Sequence, residues 1–228
     1  VCGIFGIISQ KQVDYKQFFE LGILNTQRGN LSFGYLTGKM GQDNTLDNVH
    51  VFKHIQPFQE TRVAQENTNL ILAHIRAPTT TQSTQLANVH PFETPDGYLA
   101  HNGLLLNHAE YSQWYEGYTV DSQIIIGGIQ THLNQGMEIV NAIQKTAAAL
   151  EGQQACWYWH KPKQHLYFWR VMSPIYVSDS EETLYFSSIQ HELASLLLKE
   201  GVIYRYSLSL SCLTEVGAFE FQSPYLYG

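Results

Sequence analysis

Cys2-Gly3-Ile4-Phe5-Gly6-Ile7-Ile8-Ser9 is apolar almost without interruption and lies one residue behind Val1. A strand with no polar alternation is covered on both faces, which puts it inside a layered fold and not at a rim. Outward from it, residues 14–27 read as a helix. Phe18, Leu21 and Leu24 form one stripe, Asp14 is the N-cap and Arg28-Gly29-Asn30 ends it. Ser32–Gly38, Asn48–His54 and Asn69–Ile75 read as strands, with a short helix over 57–67. Pro95-Asp96-Gly97 is a turn signal, and the strand Tyr98–His101 after it runs into Asn102-Gly103. Helices are expected at 107–115, 121–133 and 136–150. The last third holds short aromatic and β-branched runs (Ala155–Trp159, His165–Trp169, Ile175–Ser178, Leu184–Ser187), a helix at 191–199 and a tail that returns to strands. Strands at both ends, helices between and no regular β-α alternation predict an α+β fold with layered sheets. No composition shift marks a boundary, so residues 1–228 read as one domain.

The chain has 228 residues, of which 44% are hydrophobic and 14% charged, with a formal net charge of −7. No run of Lys or Arg could track a phosphate backbone, so nucleic acid is not expected as a direct ligand. The three cysteines, Cys2, Cys156 and Cys212, are odd in number and widely spaced, without a CxxC pair. They predict neither a disulfide framework nor structural zinc, and Cys156 and Cys212 read as core or strand residues. No apolar run could span a bilayer and no signal segment is visible, so a reducing cytoplasm is expected. There is no phosphate loop or nucleotide fingerprint, and no cofactor is expected.

Taken alone, Cys2 is more often a small core cysteine than a reactive one. Four other stretches bear on it: Ala73-His74-Ile75-Arg76-Ala77-Pro78-Thr79, Asn88-Val89-His90-Pro91-Phe92, His101-Asn102-Gly103 and Val120-Asp121-Ser122-Gln123. Each has an ordinary reading. An arginine at a strand end is usually a solvated charge, Asn-Gly is usually a turn, and Asp before a helix is usually an N-cap.

As an ordered set behind an N-terminal Cys-Gly-Ile-Phe-Gly, these stretches resemble the class II glutamine amidotransferases of the Ntn-hydrolase superfamily. The resemblance is closest to the glutaminase domains of glucosamine-6-phosphate synthase and amidophosphoribosyltransferase. It extends through Gln27-Arg28-Gly29-Asn30-Leu31-Ser32-Phe33-Gly34, Leu150-Glu151-Gly152, Leu166–Arg170, Ser173–Val177 and Thr183–Ser188, which covers nearly the whole chain. It implies a four-layer αββα sandwich of two mainly antiparallel sheets.

The resemblance also implies the chemistry. Cys2, as the first residue of the mature chain, attacks the side-chain amide of glutamine. Its own α-amine, with a pKa of about 7.7–8, serves as the base. Asn102 and the backbone N–H of Gly103 form the oxyanion hole. Arg76 grips the substrate carboxylate and Asp121 its ammonium, while Thr79 and His90 line the pocket. His90 reads equally well as a hydrogen-bonded structural histidine. There are three departures from the family pattern. Val1 precedes the nucleophile, and is expected to be the literal reading of a GUG start whose methionine is removed. Leu31 replaces an acidic residue, and Ala77-Pro78 follow Arg76 where an aromatic and a small residue are usual. A separate synthetase subunit is expected to take up the ammonia, with Phe219–Tyr227 as a contact segment or as strand. Two other functions stay open: a hydrolase of another γ-glutamyl amide, and a non-catalytic regulatory relative that retains Val1.

Overall fold

The computed structural model describes residues 2–41, 45–77, 85–180 and 182–222. Its strands, in chain order, are β1 (Gly3–Ser9), β2 (Ser32–Met40), β3 (Leu46–His54), β4 (Leu70–Arg76), β5 (Phe92–Thr94), β6 (Gly97–His101), β7 (Leu104–Leu105), β8 (Gly152–His160), β9 (His165–Val171), β10 (Tyr176–Asp179), β11 (Thr183–Ser187), β12 (Leu196–Leu197), β13 (Val202–Ser207) and β14 (Cys212–Ala218). The helices are α1 (Tyr15–Asn25), α2 (Ser122–Asn134) and α3 (Ile139–Ala149).

Among the described residues the strands form two seven-stranded sheets. The first runs β12-β10-β11-β1-β4-β2-β3 and the second β14-β13-β9-β8-β6-β5, with β7 added beside β8. Every pairing in both is antiparallel. The opening strand is central, flanked by β4 and β11, and all of its residues are buried. Its lack of polar alternation is thereby explained.

Three apolar clusters define four layers. Ile4, Ile8, Leu72 and Phe186 of the first sheet pack against Ala100, Ala155, Trp157 and Phe168 of the second. Behind the first sheet, Phe5, Ile7, Ile71 and Ile75 meet Phe18 and Leu21 of α1. Behind the second, Leu99, Tyr158 and Trp169 meet Ile125 and Ile129 of α2 and Ile143 of α3. The order is helix, sheet, sheet, helices, as expected for an αββα sandwich. Period-2 alternation along each strand decides which side chains enter the central layer and which face a helix.

Helix α1 starts where Asp14 accepts a hydrogen bond from the Lys16 N–H at 2.9 Å. It ends in a 3₁₀ turn, Thr26–Arg28, followed by Gly29 at φ 128°. A Cβ at Gly29 would lie 2.4 Å from the Cβ of Ala77, so both the backbone conformation and the space require glycine there.

Four expectations are corrected. The 57–67 stretch holds only the 3₁₀ turn Glu60–Arg62, because neighbouring side chains take its backbone groups: Asn30 accepts from Phe58 N–H and Tyr35 from Ala64 N–H. The 107–115 segment is a 3₁₀ helix, His108–Trp114, kinked at Tyr111. Residues 191–199 form no helix. Leu196 and Leu197 pair with Val177 and Tyr176 as an edge strand and remain 66% and 43% exposed, so the leucine run does not make a buried helical stripe. Phe219 is not an exposed contact residue: it is buried behind the second sheet beside Phe221, and residues 223–228 lie outside the described residues.

The central layer carries the stability argument. Phe186 is fully buried and meets Phe168 edge-on, with ring centroids 5.0 Å apart. Phe186→Ala is expected to lower the unfolding free energy by about 3–5 kcal/mol, read by urea denaturation. A change under about 1 kcal/mol would mean that the two sheets do not depend on this contact.

Candidate active site

Alternation delivers the predicted residues to one place. In β1, Ile4 and Ile8 enter the central layer, so Cys2, two residues before Ile4, points the same way. In β4 the same face carries Leu70, Leu72, His74 and Arg76, and in β6 it carries Ala100 followed by Asn102. Gly3 pairs with Ile75, which sets the start of β1 beside the end of β4. Cys2, Arg76 and Asn102 thus meet at one end of the space between the sheets.

Cys2 is half-buried, and its carbonyl accepts a 2.6 Å hydrogen bond from Arg28 Nε. A Cβ at Gly3 would lie 2.7 Å from Asn25 Oδ1, so the residue after Cys2 must be small for α1 to close over it. Asn25 in turn donates to Leu21 O at 2.8 Å and to Ser187 Oγ at 2.9 Å. Burial pushes the Cys2 thiol up. The Ala77 backbone N–H and the Arg76 charge oppose this, and the Asp121 charge adds to it. The sulfur therefore needs a base close by to become a thiolate at neutral pH.

Asn102 is fully buried and locked to β8 by two backbone bonds with Ala155, at 2.8 and 3.0 Å. A Cβ at Gly103 would fall 2.0 Å from Gln153 O and 2.5 Å from His101 Nε2, so no other residue fits. His101 faces away from the central layer. Its Nε2 donates to Gln153 O at 3.0 Å and its Nδ1 lies 2.9 Å from Ser122 Oγ on α2.

Two charges of opposite sign flank the site. Arg76 is buried and donates from Nη1 to the Asn88 carbonyl. The Asn88 side chain accepts from Thr119 Oγ1, and Gln123 Oε1 accepts from the N–H groups of Thr119 and Val120 at 2.7 and 3.2 Å. The next residue is Asp121, at the start of α2. Its carboxylate accepts from Ser122 N–H at 2.8 Å and from Leu105 N–H at 2.9 Å. A continuous chain of bonds thus runs from the guanidinium to the carboxylate and back to the Asn102-Gly103 segment, and it fixes how far apart the charges stand.

His90 stacks on His74 with ring centroids 3.9 Å apart; the His90 ring has no hydrogen-bond partner among the described residues, and His74 has only a weak interaction with the His101 backbone. Burial, reinforced by Arg76 and His101, pulls His74 down to about 3. Burial pulls His90 well below the usual histidine range, with His74, His101, Arg76 and Lys53 adding to the effect. Both are neutral at physiological pH.

Cys2, Arg76, His90, Asn102, Gly103 and Asp121 all fall around this one end of the central layer, whereas Thr79, Pro78 and Val1 lie outside the described residues. Arg28, Asn25, Asn88 and Ser188 were not singled out as individual residues. Arg28, Asn88 and Ser188 lie within quoted motifs, but their contacts with Cys2, Arg76 and Ile4 span 26, 12 and 184 residues of chain. Among the described residues no cluster of three or more His, Cys, Asp or Glu side chains could hold a metal ion. None of the described helices is long and apolar enough to cross a membrane.

The two-sheet αββα sandwich is the fold of the Ntn-hydrolase type, and Cys2 lies at one end of the space between its sheets. Solved structures agree. The glutamine phosphoribosylpyrophosphate amidotransferase from B. subtilis superposes with a TM-score of 0.73 at 16% identity, over 94% of this chain and 49% of that one. A glutamine aminotransferase class-II domain protein from Silicibacter pomeroyi gives 0.62 at 13% identity, over 96% of this chain and 100% of that one. No protein-family model matches. Among curated proteins, the glutamine–fructose-6-phosphate aminotransferase (isomerizing) of Bacillus licheniformis is 26% identical over 89% of this chain and 36% of its own length. That of Helicobacter pylori is 24% identical over 91% and 36%. These likenesses support assignment to the class II glutamine amidotransferases, and the chain spans about a third of the length of these curated relatives.

The neutral histidine pair has a consequence for stability. Folded, neither ring binds a proton at neutral pH; unfolded, each binds one below about 6.5. Unfolding free energy should therefore fall as pH drops from about 6.5 toward 3, by up to about 1.4 kcal/mol per pH unit per histidine. Urea denaturation across that range reads it. His74→Phe should flatten the slope, and an unchanged slope would mean that His74 is not held neutral.

Proposed function

We propose that this chain hydrolyses L-glutamine to glutamate and ammonia through a thioester on Cys2. The observation that carries the reading is the meeting of Cys2, Asn102-Gly103, Arg76 and Asp121 at one end of the space between the sheets. The Cys2 sulfur attacks the amide carbon while the α-amine of the same residue takes the thiol proton and passes it to the leaving nitrogen. Ammonia departs, water attacks the thioester, and glutamate is released with the thiol restored. The base works only as a free amine, so the active chain begins at Cys2.

Negative charge develops on the amide oxygen in the tetrahedral intermediate, and the Asn102 carboxamide with the Gly103 N–H stabilises it. Arg76 and Asp121 hold the carboxylate and ammonium of a free amino-acid head, with their spacing set by Asn88, Thr119 and Gln123. The bond from Arg28 to the Cys2 carbonyl holds the nucleophile's backbone still. From Cys2 onward the chain acts as one domain of this type in a cytoplasmic protein and delivers ammonia to a separate acceptor subunit. The Silicibacter pomeroyi protein, matched over its whole length, supports the view that a chain of this size can stand alone.

A diazo-ketone analogue of glutamine is expected to add one adduct per chain, located by peptide mass spectrometry on Cys2 and lost in Cys2→Ala. Arg76→Lys should raise KM for glutamine about tenfold or more, because the flat guanidinium fork is gone. A correctly processed chain that takes up no adduct, or takes it up on Cys156 or Cys212, would overturn the assignment of the nucleophile.

A further inference from the structure

Ser188, immediately after β11, is buried and touches both sheets. Its Oγ accepts from the Ile4 N–H at 3.0 Å, two residues from the nucleophile, and lies 3.1 Å from the carboxamide of Asn102. Its own N–H donates to Ile4 O at 2.8 Å, so the serine is clamped to β1 by main chain and side chain together. As placed, Asn102 Nδ2 donates to this hydroxyl and Asn102 Oδ1 is buried without a partner.

That arrangement leaves two groups unused. The serine oxygen accepts twice while its own proton has no acceptor among the described residues, and the asparagine leaves an acceptor orphaned. The buried, unpartnered end of the carboxamide is its carbonyl oxygen, which can only accept, whereas an oxyanion needs donors. The two ends of a carboxamide are nearly the same shape, so hydrogen bonding decides which way it faces. A half-turn of the amide corrects both faults. The Ile4 N–H donates to Ser188 Oγ, the Ser188 hydroxyl donates to Asn102 Oδ1, and the NH₂ faces away from the serine. Backbone bonds to Ala155 fix the Asn102 main chain, so the amide orientation is the freedom that remains to be set.

We propose that Ser188 is the positioning residue of the oxyanion hole: its hydroxyl, anchored on Ile4 N–H, holds the Asn102 carboxamide with its NH₂ toward the Cys2 reaction centre. The Ile4–Ser188–Asn102 relay ties the polarity of the hole in the second sheet to the strand of the first sheet that carries the nucleophile. This rests on the reading of Asn102 as an oxyanion donor.

A double-mutant cycle on glutamine hydrolysis tests it. Asn102→Ala is expected to lower kcat about 10²–10³-fold. Ser188→Ala should lower kcat about tenfold with KM within twofold, and Ser188→Ala combined with Asn102→Ala should be no slower than Asn102→Ala alone. A serine that merely supports the fold would instead give multiplying losses. Ser188→Cys keeps the volume with a weaker donor and should fall between wild type and Ser188→Ala; it carries the test if the alanine variant does not fold. Multiplying losses, or Ser188 variants as fast as wild type, overturn the role of Ser188 while the oxyanion reading stands. An unaffected Asn102→Ala in an active enzyme overturns the oxyanion reading, and this inference with it.

Discussion

Everything at the site depends on where the chain's first strand lies. β1 is hydrogen-bonded on both sides, to β4 and β11, and is buried throughout. A strand held that way has no freedom of register, because a slip of one residue would exchange its central-layer face for its helix-facing one. The residue before it inherits that rigidity. Cys2 is held further by Arg28 on its carbonyl and by the tight approach of Asn25 to Gly3. A residue so near a chain end would ordinarily fray; here these contacts hold Cys2 in place although it is only half-buried.

The second sheet brings the complementary half. Asn102 and Gly103 leave the end of β6 pinned to β8, and Asp121 bonds back to Leu105 just beyond them. The first sheet brings Arg76, which reaches across to Asn88. The site is therefore a seam, and its polar contacts join the two sheets at the end where their apolar packing stops. With His74 and His90 kept neutral, Arg76 is the charged group on that stretch of β4.

Much of this was legible in the sequence for local reasons. The apolar run at 2–9, the cap at Asp14, the turn at Pro95–Gly97 and the aromatic strands of the last third declare themselves through period and turn chemistry. The motif order also pointed to Cys2, Arg76, Asn102, Gly103 and Asp121. What could not be read depends on long-range contact. Ser188 matters because it meets Asn102 across 86 residues of chain, and Asn88 because its carbonyl meets Arg76. No periodicity encodes such meetings. The helix expected at 191–199 failed for a related reason: a leucine run signals burial, but here β10 offered an open edge and Leu196 and Leu197 paired with it.

The central claim is that thiol and amine of one residue cooperate, and the N-terminus tests it most directly. Ammonia release from glutamine should be compared between protein whose first residue is Cys2, verified by intact mass, and protein that keeps a residue ahead of it. Turnover in the first and none above background in the second is the predicted result. Equal turnover in both would contradict the account, because an amide nitrogen at Cys2 cannot carry the proton.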